Sequence, residues 1–124
     1  MARTKIAVEG LADRCIVMKG DMFAGVPGGA DAYLIKNVLM DRSDDEAVTV
    51  LRHCRQAMSQ LGRLVVIDPV IWPGEQSAPS TLLDLVMLLS TGCGRCRMQA
   101  EFQALFAAAG SPSRRLSRHP RPCP

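Results

Sequence analysis

The run Ser43-Asp44-Asp45-Glu46, the helical stripe behind it and the strand-like Arg63-Leu64-Val65-Val66-Ile67 restrict the fold of this 124-residue chain more than any other feature. Ser43 can cap a helix, and Glu46, three residues on, can return a hydrogen bond to the cap, which makes a capping box. Behind it Ala47, Val50, Leu51, Cys54, Ala57 and Met58 recur at helical spacing. Acids crowd the first turn while Arg52, His53 and Arg55 come later, as the helix dipole favours. These signals predict a helix over 44–59. Gly62 ends the connection, and 63–67 is apolar on both faces, a pattern that belongs to parallel sheets covered by helices on both sides.

Two more strands are expected ahead of that helix. One is Cys15-Ile16-Val17-Met18, stopped at Gly20-Asp21, and the other Ala32-Tyr33-Leu34-Ile35, introduced by the turn Val26-Pro27-Gly28-Gly29. Residues 4–12 read as the end of a helix, 81–89 as a further helix, and Phe102, Leu105, Phe106 and Ala109 as a helical stripe closed by Gly110. Strands separated by a capped helix predict a crossover connection and a doubly wound α/β sheet. Ligands of such sheets bind beyond the carboxyl ends of the strands, so Asp21, Lys36, Met40 and Asp68 become candidates. An acid after a strand can accept hydrogen bonds from a ribose or an amine, which suits a nucleoside. The plainer alternative is that Asp21 and Asp68 end strands and cap turns.

Composition removes several function classes. Aromatic residues make up 4% of the chain, too few for a stacking platform that binds single-stranded nucleic acid. The apolar runs at 64–67 and 81–91 are too short to span a bilayer, and Glu9 interrupts the N-terminus before a signal-peptide core can form. A cytoplasmic chain with no membrane contact is therefore expected. The net charge of +3 resides in the last fourteen residues, where Arg114, Arg115, Arg118 and Arg121 stand without an acid, so 111–124 reads as a solvated basic tail. Five cysteines argue against a disulfide framework. Cys93-Gly94-Arg95-Cys96 is a CxxC without a second ligand pair at metal spacing, so no metal is expected.

The segments Gly20-Asp21-Met22-Phe23, Val26-Pro27, Ala30 through Lys36 and Leu39 through Glu46 closely resemble the S-adenosylmethionine-dependent O-methyltransferases of the plant caffeate and bacterial acetylserotonin or polyketide type. The resemblance continues in order through 51–58, 62–70, 83–88 and 101–110, and so covers roughly residues 8–110. It implies a partial doubly wound, Rossmann-like methyltransferase sheet with flanking helices, truncated at both ends. Residues 1–110 would form that partial catalytic domain and 111–124 a disordered tail.

The same resemblance implies S-adenosylmethionine as cofactor. Asp21 and Met22 match the pair at its adenine end, and Lys36 the lysine that reaches it from the next strand. The family's glycine-rich cofactor loop would lie upstream of Met1, so weakened binding is expected. The family's proton-accepting histidine, in a His-Asp-Trp triplet, falls on Met40 of Met40-Asp41-Arg42, and a thioether is no general base near neutral pH. The two glutamates that orient that histidine fall on Asp68 and Cys96, leaving Asp68 as the one catalytic carboxylate. Met87 resembles a position facing the acceptor, although its helical spacing also suits a core. The expected function is methyl transfer to a small-molecule hydroxyl in an impaired form. The alternative is a non-catalytic interaction module that pairs with another methyltransferase chain, and exposed sheet edges would favour homo- or hetero-association.

Overall fold

Local chemistry decides the central helix of the computed structural model, which describes residues 2–72, 78–111 and 117, with backbone alone for 78–81. Helix α2, Asp44–Ala57, begins at the capping box read from the sequence. Glu46 N donates to Ser43 Oγ at 3.3 Å, and Ser43 N donates to Glu46 Oε2 at 3.1 Å. The helix buries Ala47, Val50, Leu51 and Cys54 of the predicted stripe, while Ala57 and Met58 are half-buried at its end, two residues short of the expected 59.

Around α2 the order is α1 (Ala2–Val8), β1 (Ala32–Lys36), a short 3-10 turn (Leu39–Asp41), α2, β2 (Arg63–Ile67), β3 (Val70–Ile71), α3 (Ala78–Thr91), β4 (Arg97–Met98) and α4 (Gln99–Ala108). Strands β1 and β2 pair in parallel with Ala32 opposite Arg63 and Lys36 opposite Ile67, so both carboxyl ends finish together. A second parallel pair sets Val70 opposite Arg97 and Ile71 opposite Met98. The sequence reading contains neither β3 nor β4, because a two-residue ladder leaves no periodic trace.

The core lies on the α2 side of the main pair. Ile35, Leu39, Val50, Leu51, Cys54, Phe102, Leu105 and Ala109 are buried there, with Tyr33, Leu64 and Val66 packed against them. Each large apolar side chain so buried contributes on the order of 1.5–3 kcal/mol. Arg52 joins α2 to the end of α4 by donating from Nη2 to Ala108 O at 3.0 Å, and Gly110, at φ 73°, closes α4 as expected.

Three expectations change. Residues 15–18 form no strand: Ile16 is 88% and Met18 62% exposed, so the apolar run gains no burial. The N-terminal helix stops at Val8 and not at 12, because Gly10 turns left-handed at φ 65° and Leu11 N returns to Ile6 O at 2.9 Å. The third change concerns β2, which is covered on one face only. A single β1-α2-β2 crossover covers one side of a sheet, and Leu34, Val65 and Ile67 on the other side remain 67%, 45% and 46% exposed. The tail beyond Ser111, apart from Ser117, lies outside the described residues.

Candidate functional site

At the carboxyl ends of β1 and β2 the chain leaves the sheet abruptly. Asn37 takes a left-handed conformation, φ 52°, and its N–H donates to Ile67 O at 2.9 Å. The next turn is then held from two sides. Asp68, directly after β2, accepts from Val38 N through Oδ1 and from Met40 N through Oδ2, both at 3.2 Å. Arg97, wholly buried, donates to Leu39 O at 2.6 Å, to Arg42 O at 2.7 Å and from Nε to Asp44 Oδ1 at 2.9 Å. One carboxylate therefore satisfies the free amides of the turn and one guanidinium satisfies its free carbonyls.

The CxxC loop closes over this turn. Gly94 N donates to Thr91 Oγ1 at 2.6 Å, and Arg95 N donates to Met40 O at 2.9 Å. A Cβ at Gly94 would sit 2.6 Å from Met40 O, so only glycine permits the approach. The Arg95 guanidinium bridges Asp44, at 3.0 Å, and Glu101. Burial pushes the Asp44 carboxyl up, but the hydrogen bonds and charges of Arg97 and Arg95 outweigh it and leave the group below its ordinary value. Glu101 is lowered first by the Met98 amide, with Arg95 assisting.

Met40, Asp68 and Cys96 converge here. Cys96 is buried, its N–H donates to Asp84 Oδ1 at 2.7 Å, and burial, then Asp84, then Asp68 push its thiol up. A thiol so raised stays protonated and is a poor nucleophile. Burial also pushes the Asp68 carboxyl up, with the amides of residues 37–40 pulling the other way. Those amides occupy the carboxylate, so Asp68 anchors the backbone of the turn at the position where the sequence reading expects a catalytic carboxylate. Met40, 8% exposed, brings no ionisable group. Met87 is half-buried on α3, the helix that packs against the 3-10 turn.

The remaining candidates lie along a second surface. Met22 and Lys36 line one open groove of about 570 Å³ together with Val26, Tyr33, Leu34 and Cys54. Asp21 is exposed beside it and heads a tight turn: its Oδ1 accepts from Phe23 N at 2.9 Å, and its carbonyl accepts from Ala24 N and Gly25 N at 3.1 Å. The groove's walls are mainly apolar, with Lys36 among the lining residues and Asp21 next to Met22 in the chain. Among the described residues no group of three His, Cys, Asp or Glu side chains could hold a metal ion.

The profile of the O-methyltransferase domain family matches residues 1–112. The chain belongs to that family. It is 46% identical over 110 residues to the mitomycin biosynthesis 6-O-methyltransferase of Streptomyces lavendulae, an alignment covering 88% of this chain and 31% of the relative. It is 44% identical to the aclacinomycin 10-hydroxylase RdmB of Streptomyces purpurascens, covering 88% of this chain and 29% of that one. The crystal structure of NcsB1, an O-methyltransferase from neocarzinostatin biosynthesis in complex with S-adenosyl-L-homocysteine and 1,4-dihydroxy-2-naphthoic acid, superposes with a TM-score of 0.78 at 36% identity, covering 88% of this chain and 32% of NcsB1. The chain thus spans about a third of the length of the curated relatives it matches, and its α/β fold is that of solved methyltransferases.

Sequence reasoning missed two residues of this region. Arg97 gave no signal, since arginine is seldom fully buried. His53 reads from its helix as a surface residue; in the structure it is half-buried and its Nδ1 lies 2.9 Å from Met22 O.

Proposed function

We propose that this chain supplies the Asp21, Met22 and Lys36 side of an S-adenosylmethionine crevice, and that methyl transfer to a small-molecule hydroxyl is impaired because Met40 stands where a proton acceptor is required. The meeting of Met22 and Lys36 in one apolar groove, with Asp21 beside it, is the observation that carries the reading. In this reading the Met22, Val26 and Tyr33 side chains pack the adenosine, Asp21 accepts from its amine, and Lys36 adds a cation at the rim. The cofactor supplies a methyl group on a sulfonium, already activated for attack by an oxygen nucleophile.

What remains for the protein is to orient the acceptor and remove its hydroxyl proton. Met40, Cys96 and Asp68 do not do this: one is a thioether, one a thiol held protonated, and one is committed to backbone amides. The exposed Leu34, Val65 and Ile67 face fits association with a further polypeptide surface.

The test is calorimetric titration of the chain with S-adenosylhomocysteine, beside the Asp21→Ala variant. Saturable binding, weakened about tenfold or more by loss of the carboxylate, supports the reading. A folded chain that does not bind removes it. Because one relative is named a hydroxylase, methyl transfer is assayed separately from binding, with a phenolic acceptor, and the expected turnover is at or near background.

A further inference from the structure

The turn that carries Asp21 and Met22 rests on the core through the packing of Met22 and Phe23. Its internal hydrogen bonds, Phe23 N to Asp21 Oδ1 and Ala24 N and Gly25 N to Asp21 O, fix its local shape. Two side chains from distant parts of the chain reach it. His53, on the second half of α2, sets Nδ1 2.9 Å from the Met22 carbonyl, and Arg42, just before α2, lays its guanidinium 5.4 Å from the centroid of the Phe23 ring.

From this geometry we infer that His53 is a positioning residue for the cofactor crevice, holding Met22 against the groove by donating a hydrogen bond from Nδ1 to its carbonyl. The carbonyl can only accept, so the imidazole must carry a proton on Nδ1, which both the neutral Nδ1–H tautomer and the cation provide. The bond spans 31 residues and ties the turn to α2, a helix with a capping box at its start and a buried face. Arg42 acts on the neighbouring residue as a second tether of similar strength, since a cation over a ring is worth about as much as one ordinary hydrogen bond. Losing His53 would loosen the turn without opening the core, because the side chains that α2 buries are Ala47, Val50, Leu51 and Cys54, and His53 is not among them. This inference rests on the proposed role of Asp21 and Met22, and it adds a residue that touches neither cofactor nor acceptor.

The experiment compares wild type, His53→Ala and His53→Asn by calorimetric titration with S-adenosylhomocysteine and by amide hydrogen exchange at Phe23, Ala24 and Gly25. Asparagine is the conservative variant, because its amide nitrogen can occupy the place of Nδ1. His53→Ala is expected to weaken binding about five- to tenfold and to speed exchange in the turn, while amides of α2 keep their protection. His53→Asn should restore most of both. Unchanged affinity and unchanged exchange in His53→Ala would overturn the positioning role, as would a failure of asparagine to rescue a folded variant. If wild type itself does not bind, the crevice reading fails and the proposed effect on affinity falls with it. The exchange data then still decide whether His53 holds the turn.

Discussion

Residues 37–44 and residues 21–25 both carry candidate positions, yet they are held by different means. The first segment is gripped by a fully buried guanidinium, by a half-buried carboxylate and by the amide of Arg95, all from parts of the chain far away in sequence. The second relies on its own turn bonds, on the packing of Met22 and Phe23 against the core, and on His53 and Arg42. The comparison teaches that the position lacking a base, Met40, sits in the more firmly built of the two. In the proposed reading, the segment at the acceptor's position keeps its geometry, and the segment assigned to the cofactor is the one that single substitutions can move.

Arg97→Ala would break this contrast most severely. It leaves Leu39 O, Arg42 O and Asp44 without their common donor, and a loss of about 3 kcal/mol in urea unfolding is expected. A loss below about 1 kcal/mol would mean that water replaces the guanidinium readily and that the segment is not clamped. Gly94→Ala comes next. The added Cβ would meet Met40 O at 2.6 Å and Thr91 Oγ1 at 2.4 Å, and the expected cost is about 2 kcal/mol, read as a lowered Tm.

The two carboxylates of the clamp should respond to pH with opposite signs. Asp68 is raised by its burial in the fold, so its contribution is complete below the unfolded carboxylate value and declines as pH rises through the higher folded value. Asp44 ends below its ordinary value, so its contribution is present above the unfolded value and is lost as pH falls through the folded one. In unfolding midpoints measured from pH 3 to 7, Asp68→Asn should therefore cost most in acid, with the gap to wild type narrowing as pH rises. Asp44→Asn should show the reverse trend. Parallel curves for the two variants would contradict the assigned causes.

The smallest effect belongs to the sheet. Val65→Thr, on the exposed face, is expected to stay within about 0.5 kcal/mol of wild type, whereas Val66→Thr, against the core, should cost more than 1 kcal/mol. Equal costs would show that the exposed face is covered in solution, and light scattering would then report the association.

Much of the scaffold is legible in the chain because its signals are local. Ser43 and Glu46 identify the start of α2, and Gly110 the end of α4, through contacts three or four residues away. Strands β1 and β2 declare themselves by short apolar runs and flanking turns. Residues 15–18 carry the same apolar signal and form no strand, since a strand exists only with a partner and an apolar run does not supply one. The candidate site is legible in its positions and illegible in its supports. Strand ends and the family resemblance point to Asp21, Lys36, Met40 and Asp68. That Asp68 spends its oxygens on backbone amides, that Arg97 is buried beneath the turn and that His53 reaches Met22 all depend on contacts 28 to 58 residues apart.

Titration of the folded chain with S-adenosylhomocysteine, in wild type, Asp21→Ala and Met40→Leu, tests most directly whether the cofactor side is kept while the proton acceptor is missing. The account predicts saturable binding to wild type, an affinity about tenfold or more weaker in Asp21→Ala, and no change in Met40→Leu. Absence of binding to a chain that is folded by circular dichroism, or equal affinities for wild type and Asp21→Ala, would contradict it.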